Sequence, residues 1–198
     1  MTALILVDLQ NDFMPGGALA VAEGFQILPI INELIHQKFD LIIASKDWHP
    51  QKHESFAVTH DKNPGEKILL EGLEQILWPT HCVKESHGSE FALGWESSKV
   101  DKIIFKGTNK KIDSYSVFFD NAHRKSTGLD ELLKKQQIKT LYIAGLATDY
   151  CVKYSVLDAL ELGYEVYVVK GGCRAVNLSP DDERKALEEM KFAGAHLI

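Results

Sequence analysis

The chain has 198 residues, of which 45% are hydrophobic, and a formal net charge of -6 at pH 7. This length favours a single domain over residues 1–198, since no linker or change in composition divides it. The negative charge argues against nucleic acid or a membrane surface as a partner, because both are bound by clustered Lys and Arg. No basic leader or membrane-spanning apolar run is present, so we expect a cytoplasmic protein whose partner is a small molecule. A homo-oligomer is compatible with this sequence.

Apolar runs rich in β-branched residues alternate with segments of helical period. In chain order the predicted strands cover residues 2–7, 40–44, 102–105, 140–144, 165–169 and 196–198. Helices are predicted over 27–35, after a capping-box pattern at Thr127, from Cys151 to Gly163, and after Ser179 with Pro180 in the first turn. This alternation predicts a doubly wound α/β fold, with a six-stranded, mostly parallel sheet and helices on both faces.

One connection breaks this pattern. Residues 45–98 lack strong periodicity and are rich in His, Gly, Pro and Trp. A connection of about 50 residues without regular structure is uncommon in a compact domain unless it has a function. We therefore expect this insertion after the second strand to build part of a site.

Reactive side chains follow the predicted strands. Asp8 follows the first, Lys106 the third, and Cys151 the fourth across a short turn. In open α/β sheets, ligands bind in the crevice beyond the carboxyl ends of the strands, so these three side chains are expected to meet there. A thiol, a carboxylate that accepts its proton and a lysine that holds the carboxylate form a candidate nucleophilic centre.

Cys151 is the candidate nucleophile of this set. Its predicted place in the first turn of a helix, where backbone N–H groups and the positive end of the dipole lie, predicts a stabilised thiolate. The alternative is a buried packing residue, which is the commoner role of a free cysteine. The three cysteines, Cys82, Cys151 and Cys173, are widely spaced and odd in number, so they do not indicate a disulfide framework.

The insertion carries candidate metal ligands. Asp47 and His49 lie two residues apart, so in an extended segment both project from one face, and His81 is a third candidate. Two nitrogens and a carboxylate leave room for water or substrate, as in a reactive metal site. Further candidates are His53, Ser55, His60, Glu66 and Cys82.

Six motifs, taken in order, identify a family. They are Asp8-Leu9-Gln10-Asn11-Asp12-Phe13, Asp47-Trp48-His49-Pro50 with His53-Glu54-Ser55-Phe56, Trp78-Pro79-Thr80-His81-Cys82-Val83, Lys106-Gly107, Asp113-Ser114-Tyr115-Ser116 and Gly145-Leu146-Ala147-Thr148-Asp149-Tyr150-Cys151-Val152. Together they resemble the nicotinamidase/pyrazinamidase branch of the isochorismatase-like cysteine hydrolases. The resemblance implies an amidase of NAD salvage that converts nicotinamide to nicotinate and ammonia, and also accepts pyrazinamide.

The resemblance also implies a role for each matching residue. Cys151 would be the nucleophile, Asp8 the general base and acid, and Lys106 the third catalytic residue. The backbone N–H groups of Ala147 and Cys151 would form an oxyanion hole, with a cis peptide bond just before Ala147. The resemblance implies that the substrate ring is surrounded by Phe13, Trp78 and Tyr115. It also implies one divalent metal ion bound by Asp47, His49 and His81, with Ser55 as a possible additional ligand. Zinc is the first candidate for that ion, with manganese and iron as others.

Two alternatives are kept open. One is another hydrolase of the same superfamily, such as an isochorismatase or a carbamoyl- or ureido-amide hydrolase. The other is a non-catalytic metal- and thiol-based redox sensor in which Cys82 and Cys151 are regulatory. The joint presence of Asp8, Lys106 and Cys151 favours an enzyme, because a sensor needs no such set.

Overall fold

A six-stranded sheet forms the centre of the computed structural model, which describes all residues from 1 to 198. The strands in chain order are β1 Thr2–Val7, β2 Leu41–Asp47, β3 Lys67–Leu70, β4 Leu73–Ile76, β5 Lys102–Lys106, β6 Thr140–Leu146, β7 Glu165–Arg174 and β8 His196–Leu197. Strands β3 and β4 form a separate hairpin, and the others are arranged in the order β5-β2-β1-β6-β7-β8. Every pairing in the large sheet is parallel, so the prediction of a mostly parallel sheet is confirmed and sharpened.

Four α-helices accompany the sheet: α1 Leu28–Ile35, α2 Leu129–Lys135, α3 Lys153–Glu161 and α4 Asp182–Phe192. Helix α1 connects β1 to β2, whereas α3 connects β6 to β7 in the opposite direction along the sheet. Because parallel crossovers are right-handed, these two helices lie on opposite faces. The direction of winding reverses between β1 and β6, which places the ligand crevice beyond their carboxyl ends. None of the helices is long and apolar enough to cross a membrane.

The core explains the apolar strands. Residues Ala3 to Val7 of β1 are completely buried, as expected for a central strand covered on both faces. Buried residues of α1 (Ile31, Leu34) and of α3 (Val156, Ala159) belong to the same cluster of 39 buried apolar residues. The fold thus fixes the positions of the strand ends from which the site is built.

Several boundaries differ from the prediction. Strand β2 continues to Asp47 and β7 to Arg174, beyond the predicted ends at residues 44 and 169. The register of β7 against β6 shifts between Ile143 and Gly145, which an apolar run in the sequence does not reveal. Helix α4 begins at Asp182 and not at Pro180, because the Asp182 carboxylate accepts the Ser179 N–H (2.8 Å) within a preceding turn.

The insertion contains a hairpin that was not predicted. Strands β3 and β4 pair antiparallel and are joined by Glu71 and Gly72, both at positive φ (50° and 89°). Two such residues are typical of a type I′ turn. Most side chains of the hairpin are exposed or half-buried, so no alternation of apolar and polar residues marked it. Bridges from Phe56 to Trp78 and from His49 to Val83 fold the rest of the insertion on itself.

Candidate active site

Four strand ends bring charged and nucleophilic side chains together. Asp8 follows β1 directly, Asp47 is the last residue of β2, and Lys106 is the last residue of β5. Cys151 follows β6 in the π-helical turn Thr148–Val152, which continues into α3. All four residues are at most 7% exposed. The structure therefore places the predicted residues in the crevice where the winding of the sheet reverses.

The ammonium group of Lys106 is the hub of this cluster. Its Nζ lies 2.8 Å from Asp8 Oδ2 and 3.0 Å from Asp47 Oδ1. It also lies 3.3 Å from Cys151 Sγ and donates a hydrogen bond to the Ser114 carbonyl at 3.0 Å. Although burial alone would lower the pKa of Lys106, Asp47 and Asp8 raise it well above its ordinary value. The lysine is therefore a fixed positive charge and does not act as a base.

The two carboxylate oxygens of Asp8 have different neighbours, Ser45 for Oδ1 and Lys106 for Oδ2. Its Oδ1 accepts a hydrogen bond from Ser45 Oγ (2.7 Å), and its own N–H donates to the same hydroxyl (3.1 Å). Oδ2 is buried beside Lys106 without a well-directed donor. Burial raises the pKa of Asp8 although Lys106 opposes the shift. A buried carboxylate with a raised pKa is suited to accept a proton from a thiol.

The state of Cys151 corrects one prediction. Burial raises the pKa of its thiol well above the ordinary value, although Lys106 acts in the opposite direction and the carboxylates add to the rise. The predicted stabilisation of a resting thiolate by the helix start is therefore wrong in sign. Since the thiol is the resting form, its proton has to be removed during attack, which requires a base within the cluster.

A free backbone donor lies between β6 and Cys151. The N–H of Ala147 donates to no protein acceptor, although Ala147 is only 5% exposed. The carbonyl of the same residue accepts hydrogen bonds from Tyr150 and Val152, which fixes the turn. The Leu146–Ala147 peptide bond is cis, as the resemblance implies. A buried, unpaired N–H beside a nucleophile can stabilise a developing oxyanion.

The three predicted metal ligands converge. Asp47 Oδ2 lies 3.1 Å from His49 Nε2 and 3.4 Å from His81 Nε2. The Nδ1 atoms of both histidines face backbone carbonyls, of Gly107 (3.0 Å) and Pro79 (2.8 Å). Donation from Nδ1–H would leave each Nε2 lone pair directed at the same point, as in known metal sites. Two imidazole nitrogens and one carboxylate oxygen fit a divalent first-row ion with open coordination positions.

The additional ligand candidates are not part of this group. Ser55 Oγ lies 2.7 Å from His53 Nδ1, and His53 Nε2 contacts the Asn109 carbonyl at 2.8 Å. His60 contacts Glu54, whereas Glu66 is bound by Lys62 and Asn63 at the surface. The Sγ of Cys82 lies 3.9 Å from the Gly88 carbonyl. None of them belongs to the group formed by Asp47, His49 and His81, although His53 forms a second possible group with His49 and Asp113.

A pocket opens between the cysteine and the metal-ligand group. It is small, with a volume of about 20 Å³, and its walls include the three predicted aromatic residues, Phe13, Trp78 and Tyr115. Trp78 Nε1 donates to the Tyr115 hydroxyl (3.1 Å), which fixes the two rings relative to each other. The Phe13 ring lies edge-on to His81 at 5.6 Å. A flat ring bound between these aromatic walls would face Cys151 at one end and His81 at the other.

The structure adds pocket residues that were not predicted as site residues. They are Leu19, Asp113, Tyr150 and Val176. Asp113 and Tyr150 lie within the motifs that identify the family, so those motifs could have indicated them as pocket residues. Leu19 and Val176 lie in loops whose sequences contain no such motif. Asp149 holds one of these loops, since its carboxylate accepts the N–H groups of Val176 (2.9 Å) and Asn177 (2.8 Å).

Gln10 is a further residue whose role the sequence did not indicate. It is completely buried. Its Nε2 donates to the Asp47 carbonyl (2.8 Å) and its Oε1 accepts the Asp47 N–H (2.8 Å). The same Nε2 also donates to the Ser89 carbonyl at 2.9 Å. Gln10 therefore fixes the backbone of Asp47, which faces both Lys106 and the histidines.

Known proteins share this architecture. The isochorismatase domain model matches residues 2–198. The nicotinamidase of Escherichia coli is 48% identical over 198 residues, covering 98% of this chain and 93% of the relative. Among solved structures, a nicotinamidase/pyrazinamidase of Acinetobacter baumanii has a TM-score of 0.96 at 40% identity, covering 100% of this chain and 95% of its own.

A third relative was solved with a metal. The pyrazinamidase of Pyrococcus horikoshii, in complex with zinc, has a TM-score of 0.81 at 39% identity and covers 100% of this chain and 98% of its own. These matches extend over nearly the full length of each protein. The chain belongs to the isochorismatase family.

Proposed function

We propose that this protein is a nicotinamidase, which hydrolyses nicotinamide to nicotinate and ammonia through a thioester on Cys151 and accepts pyrazinamide as well. The observation that carries the proposal is the contact of Lys106 Nζ with Asp8 and Cys151 at the end of an aromatic pocket. The 48% identity to the Escherichia coli nicotinamidase supports the choice of substrate. The residue roles below follow from the geometry and from the chemistry of amides.

The first step forms the bond between sulfur and the amide carbon. Asp8 accepts the thiol proton through Oδ2, which contacts the same Lys106 ammonium group as Cys151 Sγ, while Sγ attacks the carboxamide. Lys106 keeps its proton and balances the negative charge that passes from carboxylate to sulfur. Because the charges of the cluster are buried, they interact more strongly than they would in water.

The tetrahedral intermediate carries its negative charge on the former amide oxygen. The free N–H of Ala147 donates to this oxygen, and the Cys151 N–H is the second proposed donor. Removal of one such donor costs a typical hydrolase about 10²- to 10³-fold in kcat. Protonated Asp8 then gives its proton to the amide nitrogen, the C–N bond breaks, and ammonia leaves.

The second half of the reaction releases the acid. Asp8, again a carboxylate, accepts a proton from water as that water attacks the thioester carbon. The C–S bond breaks, nicotinic acid leaves and ionises to nicotinate, and the proton returns from Asp8 to the Cys151 thiolate. One carboxylate thus serves as base and acid in turn, which its raised pKa favours.

The other end of the pocket orients the ring. Phe13, Trp78 and Tyr115 enclose its faces and edges. Asp47, His49 and His81 would hold a divalent ion, with zinc as first candidate and manganese or iron as others, that supplies a positive anchor for the ring nitrogen. Orientation of this kind contributes several kcal/mol to a reaction between positioned groups.

The test measures ammonia and nicotinate from nicotinamide with the metal-loaded protein, with isochorismate as the competing substrate. We expect equal amounts of both products and no turnover of isochorismate. Hydroxylamine added during turnover should divert product to the hydroxamate, since it attacks the same thioester. Absence of ammonia from nicotinamide would refute the proposal.

Matched cysteine variants separate catalysis from packing. Cys151→Ala should abolish turnover and leave metal content unchanged, whereas Cys173→Ala, which also removes a buried thiol but lies outside the pocket, should stay active. His49→Ala should lower metal content. If Cys151→Ala retained turnover, a sensor or packing role for the thiol would be favoured instead.

A further inference from the structure

A second cavity lies on the other side of a catalytic-pocket wall. Tyr115 lines both the pocket described above and a cavity of about 220 Å³ whose other walls include Asp120, His123, Tyr154 and Asp158. None of the residues assigned to the proposed reaction, apart from Tyr115, faces this cavity. Two of its acidic groups lack the partners that buried carboxylates normally have.

Asp158 and Asp120 each present a buried oxygen without a donor. Asp158 is 7% exposed and Asp120 is 6% exposed, and the Oδ2 atom of each is buried and accepts no hydrogen bond. Buried carboxylates are normally paired or bound to a cation, because an unpaired charge is costly to remove from water. The unpaired Oδ2 of Asp158 is therefore available to a positive partner in this cavity.

His123 is fixed in place beside Asp158. Its ring stacks on Phe119 with centroids 4.8 Å apart, and its Nε2 lies 3.2 Å from Asp158 Oδ1. The two residues that flank His123 in the chain, Ala122 and Arg124, donate their N–H groups to Asp120 Oδ1 at 3.1 Å and 2.9 Å. The imidazole is thus presented to the carboxylate by a turn that is already formed.

A third ligand atom completes the set. His123, Asp158 and Glu161 present atoms that all lie within 4.8 Å of one another. Asp158 and Glu161 are three residues apart on α3 and so lie on the same face of that helix. Mg²⁺ and Ca²⁺ prefer oxygen ligands alone, whereas one imidazole nitrogen with two carboxylates suits Zn²⁺ and similar first-row ions.

We propose that His123, Asp158 and Glu161 form a second divalent-metal site, separate from Asp47, His49 and His81 and specific for zinc-like ions. Its ligands come from two segments that both reach the catalytic pocket. The turn that carries His123 follows Ser114 and Tyr115, and α3 follows Cys151. An ion here would join these segments directly.

The joining of two segments has a measurable consequence. A ligand that binds only the folded protein stabilises it, so occupancy should raise the temperature of thermal unfolding. The segments are already in contact through the Ser155 hydroxyl, which accepts the Val117 N–H at 3.0 Å. The ion would therefore add to an existing junction and should need no rearrangement of the backbone.

The experiment titrates Zn²⁺ by calorimetry into protein that already carries one equivalent. We expect a second binding event with one ion per chain, accompanied by a rise in unfolding temperature. His123→Ala and Glu161→Gln change exposed side chains, and each should abolish both effects. Asp158→Asn should do the same. His49→Ala, titrated from the metal-free state, should bind one ion per chain and still show the rise in unfolding temperature.

A matched control comes from another exposed histidine that contacts a glutamate. His36 Nε2 lies 2.7 Å from Glu96, but no third ligand joins them. His36→Ala should therefore keep the second event. The proposal is overturned if the wild type binds one ion only, which would mean that His123 and Asp158 form a simple ion pair. It is equally overturned if the second event survives in both His123→Ala and Glu161→Gln.

Discussion

Replacement of Gly107 by alanine should damage the proposed metal site without touching a ligand. Gly107 follows Lys106 and has a φ of +64°, and a Cβ added there would lie 2.5 Å from Cε1 and 2.7 Å from Nδ1 of His49. The same Cβ would lie 2.9 Å from Asp47 Oδ1. The Gly107 carbonyl also faces His49 Nδ1 at 3.0 Å. A single methyl group would thus push against two of the three proposed ligands.

The expected effect of Gly107→Ala has two parts, the displacement of His49 and the conformational cost of the backbone. To reach the 3.4 Å at which ordinary contact begins, His49 would have to move by about 0.9 Å. A misplacement of about 1 Å can cost ~10²-fold in rate, and loss of the hydrogen bonds that orient a ligand typically weakens metal binding by about 10- to 100-fold. The left-handed backbone adds about 1–2 kcal/mol for any residue with a Cβ.

Gly128 provides the control for the backbone part. Its φ is +88°, yet a Cβ there would meet nothing within 4 Å. Gly128→Ala should therefore lose about 1–2 kcal/mol of stability and keep its metal. Gly107→Ala should show a similar backbone cost and in addition a reduced metal content and nicotinamide turnover.

The assay is metal analysis after gel filtration, combined with urea unfolding and ammonia release. The comparison of the two alanine variants isolates the clash with His49 from the conformational cost. If Gly107→Ala retained as much metal and activity as Gly128→Ala, the assignment of His49 to the metal site would be refuted. A loss of metal in both variants would show that backbone strain alone explains the effect.

Three other changes test separate parts of the site. Asp8→Asn should slow nicotinamide hydrolysis by about 10²- to 10⁴-fold, and unchanged turnover would exclude Asp8 as the base. In the wild type, kcat/KM should rise with pH as Asp8 loses its proton. Because burial raises the pKa of Asp8, this rise should lie above pH 3.8, the ordinary pKa of an aspartate. A rise at or below pH 3.8 would contradict this assignment. Gln10→Leu leaves the N–H and C=O of Asp47 unpaired, so it should destabilise the fold by about 1–3 kcal/mol per group and lower metal content, as measured by urea unfolding and metal analysis. Asp149→Ala frees the loop that carries Val176, so KM should rise more than kcat falls, whereas an unchanged KM would show that this loop does not shape the pocket.

The pattern of apolar segments determined the fold class. The fully buried β1 is a near-continuous apolar run, which is what a parallel strand covered on both faces requires. Because parallel strands end at one edge, the positions of Asp8, Lys106 and Cys151 after their strands were sufficient to predict that they meet. The hairpin that turns at Glu71 and Gly72 was not predicted, because its exposed side chains show no alternation of apolar and polar residues.

The electrostatic state of the site was decided by tertiary structure alone. A helix start predicts a lowered thiol pKa, yet the burial of Cys151 and the nearby carboxylates of Asp8 and Asp47 raise that pKa. Burial and the distances from Lys106 to its partners depend on segments that are far apart in sequence, so no local pattern contains them. Sequence by itself determined which groups reach the crevice, because strand ends follow from local periodicity. Only the folded chain decided which of them carry charge, since charge depends on solvent exclusion and on neighbours within a few ångströms.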